Sequence, residues 1–431
     1  MLAILEYWQV ESVLSLLRAF RPGLSSVGAQ VRATGTLQYP TIASMYLEVA
    51  FAFGLGLVLF DIDRQSWKSA VGWLLALVVI AEAVILTFTR AGLITLALAV
   101  AILLFFRIQR HGIDAGSRAI AGLSVAIVAL AASSRSMQSM WLRLSTEGQD
   151  AWYRARVEAP PSLELSAGEE RLVPVEVTNT GLVPWDPFAN PPMRLSYHWL
   201  MDDGERVVTF DGERSDFPEI VEPGACVGVQ AFVRAPLHPG DYQLEWDVVQ
   251  EGLLWFSTEQ GAPQPARSAA RITGAASHVR LTTWPRPARS VRPGRQTLWT
   301  AALRMTAAHP FLGVGPDNFR LLYGPYVGLA TFDRRTHSNN MYLEILAGGG
   351  VVAAAAFAWL VWQAARVFAR AGAAADPLSS AIVAAGVAIA VHGVVDSFLS
   401  FAPTYVLFSM TLGYAAALSR GAEPVAHADC V

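Results

Sequence analysis

Long apolar runs broken by short basic loops dominate the chain and predict membrane-spanning helices, since crossing a bilayer takes about 20 apolar residues in a helix. Seven such segments stand near 41–60, 69–88, 91–107, 118–134, 341–366, 378–399 and 402–419. Ahead of them, Val13, Leu16, Leu17 and Phe20 fall on one helical face, as in an amphipathic or interfacial segment. Between the fourth and fifth runs the pattern changes period. Over 155–275, "LELSAGEERLVPVEVTNTG", "MRLSYHWLMDDGERVVTF", "VGVQAFVRAP" and "YQLEWDVVQEG" alternate apolar with polar residues, and Pro, Gly, Asn and Asp punctuate them. That alternation predicts an all-β, Ig-like sandwich with a hairpin around Asp203-Gly204. A further helix, "RQTLWTAALRMTAAHP", places Leu298, Ala301, Ala302 and Met305 on one face and is expected to lie on the membrane surface.

The expected architecture is therefore a polytopic α-helical membrane protein of about seven spans with an inserted sandwich. Its regions are an N-terminal membrane region (1–150), the sandwich (155–275), a loop and helix region (276–340) and a C-terminal membrane region (341–420). Composition agrees with this class: the 431 residues are 53% hydrophobic and 16% charged, with mean hydropathy +0.37, outside the usual soluble range. The N-terminal "MLAILEYWQVESVLSLLRAFRP" carries acids and lacks a positive start followed by an unbroken apolar stretch, so no cleavable signal peptide is expected.

Charge orients the helices. Arg64 and Lys68, then Arg107, Arg110 and Arg118, then Arg366 and Arg370 fall in loops on one side, which the positive-inside rule assigns to the cytoplasm. The turn "TFTRAG", the segment before the first span and all of 135–340 then face outward. Cys226 and Cys430 fall on opposite sides, which argues against a disulfide, and no metal-type cysteine spacing occurs. The net charge of -3 says little about partners.

Several polar features invite a chemical reading, each beside a plainer one. Trp185, Tyr197, Trp199, Trp246 and Trp255 can stack on sugars or fill the space between two sheets. Arg280, Arg286, Arg289 and Arg292 read as a solvated basic linker near anionic headgroups. Gly313 and Gly315 can bring amides near phosphate or simply allow a sharp bend. Arg320 and Tyr323 can help hold substrate, while Asp333, Arg334 and Arg335 can pair among themselves. Glu82 is an ionisable group inside a span, and His392 and Asp396, spaced i, i+4, can pair with each other.

Four segments in order, "VRATGTLQYPTIASMYL", "ILTFTRAGLITL", "GRQTLWTAALRMTAAHPFLGVGPDNF" and "HSNNMYLEILAGGGVV", resemble the O-antigen ligase family of envelope glycosyltransferases. That family also includes O-antigen polymerases and some protein O-oligosaccharyltransferases. The resemblance covers about 1–150 and 280–420 and leaves out the sandwich, which reads as an insertion in the large periplasmic loop. Family members generally carry several more spans ahead of the first motif, so the resemblance implies that this chain lacks N-terminal spans.

The resemblance implies transfer of a glycan from undecaprenyl pyrophosphate to a hydroxyl on a lipid, glycan or protein acceptor, at the outer face of the bacterial inner membrane. The donor is already activated, so no nucleotide, metal or other cofactor is expected, and nucleic acid is not among the expected partners; membrane lipids are. By position in the motifs, Arg32 and Arg90 are candidates for holding the pyrophosphate, a task suited to the planar guanidinium fork. Arg90 can instead snorkel to headgroups. Arg295, Arg320 and Asn339 join them as candidate substrate ligands. His337 is the candidate base, able to take the acceptor's hydroxyl proton near neutral pH. Its plainer role is to orient or cap the next helix, with Ser338, Asn339 and Asn340 competing as caps. A polymerase sharing the donor, a non-catalytic membrane-anchored glycan-binding protein and a transporter are the other readings. The absence of a polar set at mid-membrane matching the outer residues argues against the last.

Overall fold

The computed structural model describes residues 1–21, 24–28, 30–132, 134–146, 149–259, 261–275, 281–287, 293–329, 331–373 and 376–421. Arg280, Arg289, Arg292 and Cys430 lie outside these residues. The chain divides into a helical unit (Met1–Pro22, Arg32–Met140 and Pro293–Val431) and a β-rich unit (Gly23–Val31 and Trp141–Arg292). The helices are α1 (Leu2–Tyr7), α2 (Glu11–Leu17), α3 (Pro40–Asp63), α4 (Trp67–Leu86), α5 (Arg90–His111), α6 (Ala115–Ala131), α7 (Ser134–Ser145), α8 (Arg295–Ala308), α9 (Phe319–Tyr326), α10 (Met341–Ala373), α11 (Pro377–His392) and α12 (Ala402–Gly421). The strands are β1 (Ser26–Val27), β2 (Gln30–Val31), β3 (Ala155–Glu158), β4 (Ser162–Ser166), β5 (Glu170–Asn179), β6 (Met193–Met201), β7 (Arg206–Thr209), β8 (Ser215–Asp216), β9 (Cys226–Arg234), β10 (Gly240–Gln250), β11 (Leu254–Trp255), β12 (Arg267–Thr273) and β13 (Trp284–Pro285).

In the helical unit each expected apolar run is a helix. Among the described residues, four of them, α3, α4, α5 and α10, are long and apolar enough to cross a membrane, whereas α6 and α11 are shorter apolar helices. The run expected to reach residue 399 stops at His392, because Gly393 and the polar Asp396, Ser397 and Ser400 turn the chain. Helix α10 is interrupted at Gly350, whose φ of 63° and ψ of -163° leave the helical region.

The core packs around α3, whose Phe51, Leu55 and Val58 are fully buried. A Cβ on Gly56 would lie 2.5 Å from the Ala381 Cβ of α11, so glycine there permits the close helix approach common in membrane bundles. Trp73, Val125, Trp359, Trp362 and Met410 are exposed, as expected of a surface meant for lipid. The N-terminal apolar face is divided: Val13 and Leu17 are buried, whereas Leu16 and Phe20 point to the surface. A buried residue outside that pattern is Glu6, which pairs with Arg21 and accepts from the backbone N–H of Thr34 (2.9 Å) and Gly35 (2.6 Å). It thereby fixes the backbone that follows Arg32.

The basic loop ends converge. Arg107 near the end of α5 donates to Asp63 at the end of α3 (2.9 Å) and pairs with Asp114. Asp114 caps α6 by accepting from the Ser117 N–H at 2.9 Å. Arg110 donates to the Ser380 hydroxyl at the start of α11 (3.2 Å). These contacts bring four helix ends to one side of the helical unit, as the alternation of basic loops implies.

In the β-rich unit, one sheet runs in the order β13-β7-β6-β10-β12-β4, with β8 and β11 joined to β6 and β10, and a second runs β3-β5-β9. The long strands pair antiparallel, β6 with β10 from Met201↔Tyr242 to Met193↔Gln250, whereas β4 joins β12 in parallel. Alternate residues of β5, Val173, Val175 and Val177, are buried, the period-2 signature of a half-covered strand. Trp185, Tyr197, Trp199 and Trp246 are all buried, so these aromatics fill the interior. From β6, the Tyr197 hydroxyl accepts the Arg234 N–H (2.9 Å) and the Trp199 indole donates to the Arg234 carbonyl (2.8 Å), linking the larger sheet to β9. Trp255 is half-buried, with the Arg214 guanidinium 5.0 Å from its ring.

Candidate active site in the helical unit

The loop before α10 ends in a cap that fixes the residues ahead of it. Asn340 accepts the Leu343 N–H on its side-chain oxygen at 2.9 Å, so of the three competing caps it is Asn340 that serves α10. Ser338 turns back, its hydroxyl donating to the Asn340 carbonyl at 3.0 Å. Asn339 has φ of 51°, a left-handed conformation that asparagine tolerates better than most residues. The Met341 N–H donates to the carbonyls of Gly393 (2.8 Å) and Asp396 (3.1 Å), which ties this loop to the end of α11.

These constraints leave His337 beside Glu344, one turn into α10. The His337 Nδ1 lies 3.3 Å from Glu344 Oε1, and Glu344 Oε2 accepts the Ser338 N–H at 2.8 Å. With Nδ1 carrying the proton toward the carboxylate, Nε2 is the ring nitrogen that keeps a lone pair. Hydrogen bonding to Glu344 raises the His337 pKa above its ordinary value; burial and Arg320 oppose the shift, and Asp317 adds to it. Glu344 escaped the sequence reading. Its signal was an acid in the first turn of an apolar helix, seven positions after the histidine.

His337 and Glu344 line a cavity of about 650 Å³ together with Tyr39, Asp317, Arg320 and Phe401. That volume is in the range of small-molecule sites. One wall is the glycine turn: the Gly315 N–H donates to the Gly348 carbonyl at 2.9 Å, so Pro316 packs beside Gly348 and Gly349. Gly313 has φ of 63°, and a Cβ there would overlap the Ala347 carbonyl oxygen. Arg320 is held by Asp317, Nε to Oδ1 at 2.9 Å and Nη2 to Oδ2 at 2.7 Å, and it holds that carboxylate below the usual range. Arg335 pairs with Asp333 at 2.9 Å and also reaches the cavity. Tyr323 is buried under the loop, its hydroxyl donating to the Asp333 carbonyl at 3.3 Å, which makes it a support and not a wall.

Arg32, Arg90, Arg295 and Asn339 are not in that lining. The three arginines gather elsewhere. Arg32 donates to the Thr87 carbonyl (2.8 Å) and the Thr89 hydroxyl (3.3 Å), in the turn that leads directly into Arg90. Arg295 feels both Arg90 and Asp396: burial lowers its pKa, Asp396 raises it and Arg90 lowers it further. Asp396 adjoins Ser397, which does line the cavity. His392 pairs with Glu48 of α3 at 2.5 Å, not with Asp396 as its spacing suggested. Glu82 is half-buried in α4 with one oxygen lacking a hydrogen bond. Among the described residues, no group of three or more His, Cys, Asp and Glu side chains is arranged to hold a metal ion.

Residues 268–358 match the family described as O-Antigen ligase. No curated protein matches the chain. A solved structure, from a structural analysis of glycolipid glycan hydrolysis by a family 123 glycoside hydrolase from Clostridium perfringens, aligns at 11% identity and a TM-score of 0.15. That alignment covers 28% of this chain and 27% of the other, so the chain spans about a quarter of that structure's length. The family match covers Arg295, Arg320, His337 and Glu344, so the segment over residues 268–358 that holds these side chains is the part of the chain similar to the O-antigen ligase family.

Proposed function

We propose that this protein transfers a glycan from undecaprenyl pyrophosphate to an acceptor hydroxyl at the periplasmic face of the bacterial inner membrane. The family supports a membrane glycosyltransferase of the ligase or polymerase type, with a lipid-linked glycan and an acceptor as partners. The observation that carries the reading is His337 on the cavity wall, its Nδ1 occupied by Glu344, within the segment matching that family. In this reading the apolar helices are spans, about seven in all, and the β-rich unit is a periplasmic Ig-like insertion.

The chemistry follows from the arrangement. The acceptor oxygen attacks the anomeric carbon as its proton passes to His337 Nε2, while Glu344 steadies the imidazolium that forms. A carbon–oxygen bond forms to the acceptor and the bond to the pyrophosphate oxygen breaks, its electron pair leaving with the lipid pyrophosphate. Charge on that leaving group grows, and fixed cations stabilise it. Arg320 stands at the cavity, while Arg32, Arg90 and Arg295 are the cations proposed for the pyrophosphate. Ligase and polymerase share these steps and differ only in which hydroxyl is delivered.

Membranes containing the protein, a lipid-linked glycan and an acceptor test the proposal. His337→Ala at wild-type abundance is expected to slow transfer by roughly 10²- to 10⁴-fold and to let lipid-linked donor accumulate. Transfer at the wild-type rate would remove His337 from the chemistry and the reading with it.

A further inference from the structure

The edge of the larger sheet in the β-rich unit carries a tryptophan that the interior does not use. Trp284 opens β13 and pairs with Val207 of β7, and the Arg286 N–H continues the ladder to the Glu205 carbonyl at 3.0 Å. Its backbone is therefore fixed while its ring stays out: Trp284 is 54% exposed, whereas Trp185, Trp199 and Trp246 are buried. Trp284 lines two clefts. One, of about 720 Å³, is lined by Asp203, Arg206, Arg267, Thr283 and Arg286; the other, of about 430 Å³, is lined by Asp211, Arg234 and His238. A tryptophan that lines two clefts together with polar residues differs from a lone exposed apolar residue.

The polar groups of the larger cleft are held in place and already neutralised. Arg206 pairs with Asp203 at 2.6 Å, and that carboxylate also accepts the N–H groups of Glu205 (2.9 Å) and Arg206 (3.0 Å). Arg267 donates to one oxygen of the buried Glu245 (2.9 Å) and to Gln243 (2.9 Å), and Arg286 pairs with the other Glu245 oxygen. A guanidinium has five N–H donors, so Arg206 and Arg286 keep donors beyond these pairs. Arg267 and Arg286 share Glu245, and Glu205 also lines the cleft, so three cations, Arg206, Arg267 and Arg286, stand with three carboxylates, Asp203, Glu205 and Glu245, which leaves little net field to draw an anion such as a phosphate or an acidic glycan. The charged rim equally disfavours an apolar partner or the bilayer interior. A neutral polyol with one apolar face suits both the ring and its rim.

We propose that the Trp284 cleft binds a neutral pyranose oligosaccharide, the C–H face of a sugar stacked on the indole and its hydroxyls bonded to Asp203, Arg206 and Arg286. The cleft shares no lining residue with the His337 cavity, and its test needs no glycan transfer.

Equilibrium binding to the full chain in detergent micelles decides the matter, with neutral hexasaccharides of glucose, galactose, mannose and N-acetylglucosamine as probes and a heparin hexasaccharide as the anionic comparison. At least one neutral series is expected to bind saturably and better than heparin. Trp284→Ala should weaken it about tenfold, and Trp284→Phe should retain most of the affinity. Because the ring is outside the core, the Trp284→Ala protein should unfold at the wild-type temperature, so a binding loss cannot be laid to misfolding. No saturable binding of any neutral series, heparin bound best, or undiminished binding by Trp284→Ala would each overturn the proposal.

Discussion

His337 faces two demands at the scale of a single residue: it must be neutral to accept a proton, yet its neighbours favour its charged form. Glu344 and Asp317 raise its pKa, and Arg320 and burial lower it. Transfer should therefore fail on the acid side as pH drops through that raised pKa, where the imidazole becomes protonated. Replacing Glu344 with Gln removes the charge that favours the imidazolium, leaving burial and Arg320 to dominate. The acid limb of the pH–rate profile is expected to move to lower pH, with a reduced plateau because the ring is less firmly oriented. A limb that stays where it is in Glu344→Gln would mean that the Glu344 charge does not tune the base. A simple packing role for Glu344 would lower the rate without moving the limb.

Single elements show how glycine shapes the cavity wall. Gly313 combines a positive φ with a backbone contact to α10 that leaves no room for a side chain, so Gly313→Ala incurs both backbone strain and overlap. A cost of roughly 1–3 kcal/mol is expected from a residue forced into that conformation. Thermal unfolding in detergent should show the loss, and Pro316, which lines the cavity two residues beyond Val314, should shift with it. Gly72 in α4 is the contrasting case, since a Cβ there meets nothing within 4 Å and its φ is ordinary. Gly72→Ala should be neutral or slightly stabilising, as alanine is the better helix former. Equal destabilisation by the two changes would mean that the α10 contact is not what sets the wall. The bend itself was legible in "PFLGVGPDNF"; its partner, the 347–350 stretch of α10, was not.

For the whole molecule, the convergence of Asp63, Arg107, Asp114, Arg110 and Ser380 on one side of the helical unit makes the proposed orientation testable. Cys226 is exposed and offers a native probe in the β-rich unit. In intact spheroplasts a membrane-impermeant thiol reagent should label Cys226, and a cysteine placed at the exposed Thr331 should react in a chain whose own cysteines are replaced by serine. Cysteines at Gln65 and Gln109, also exposed, should stay unlabelled until the membrane is opened. The reverse pattern would put His337 on the cytoplasmic side and end the case for a periplasmic reaction.

The candidacy of His337 rested on the resemblance of its motif to a family, whereas the pattern of the sequence by itself determined where the apolar helices and alternating strands fall and which face of α8 is buried. Those features are written in local periodicity, because the preference of a residue for water or for a packed face acts wherever that residue stands. What only the tertiary structure decided are the pairings. Glu344 joins His337, Glu48 joins His392 across 344 positions, and Arg320 separates from Arg32, Arg90 and Arg295. The same holds for the tryptophans: those in the strongest strands fill the interior, while Trp284, in a two-residue edge strand, keeps its ring in solvent. Which side chains meet depends on how distant helices and strands pack, and no spacing along the chain encodes a distance across it.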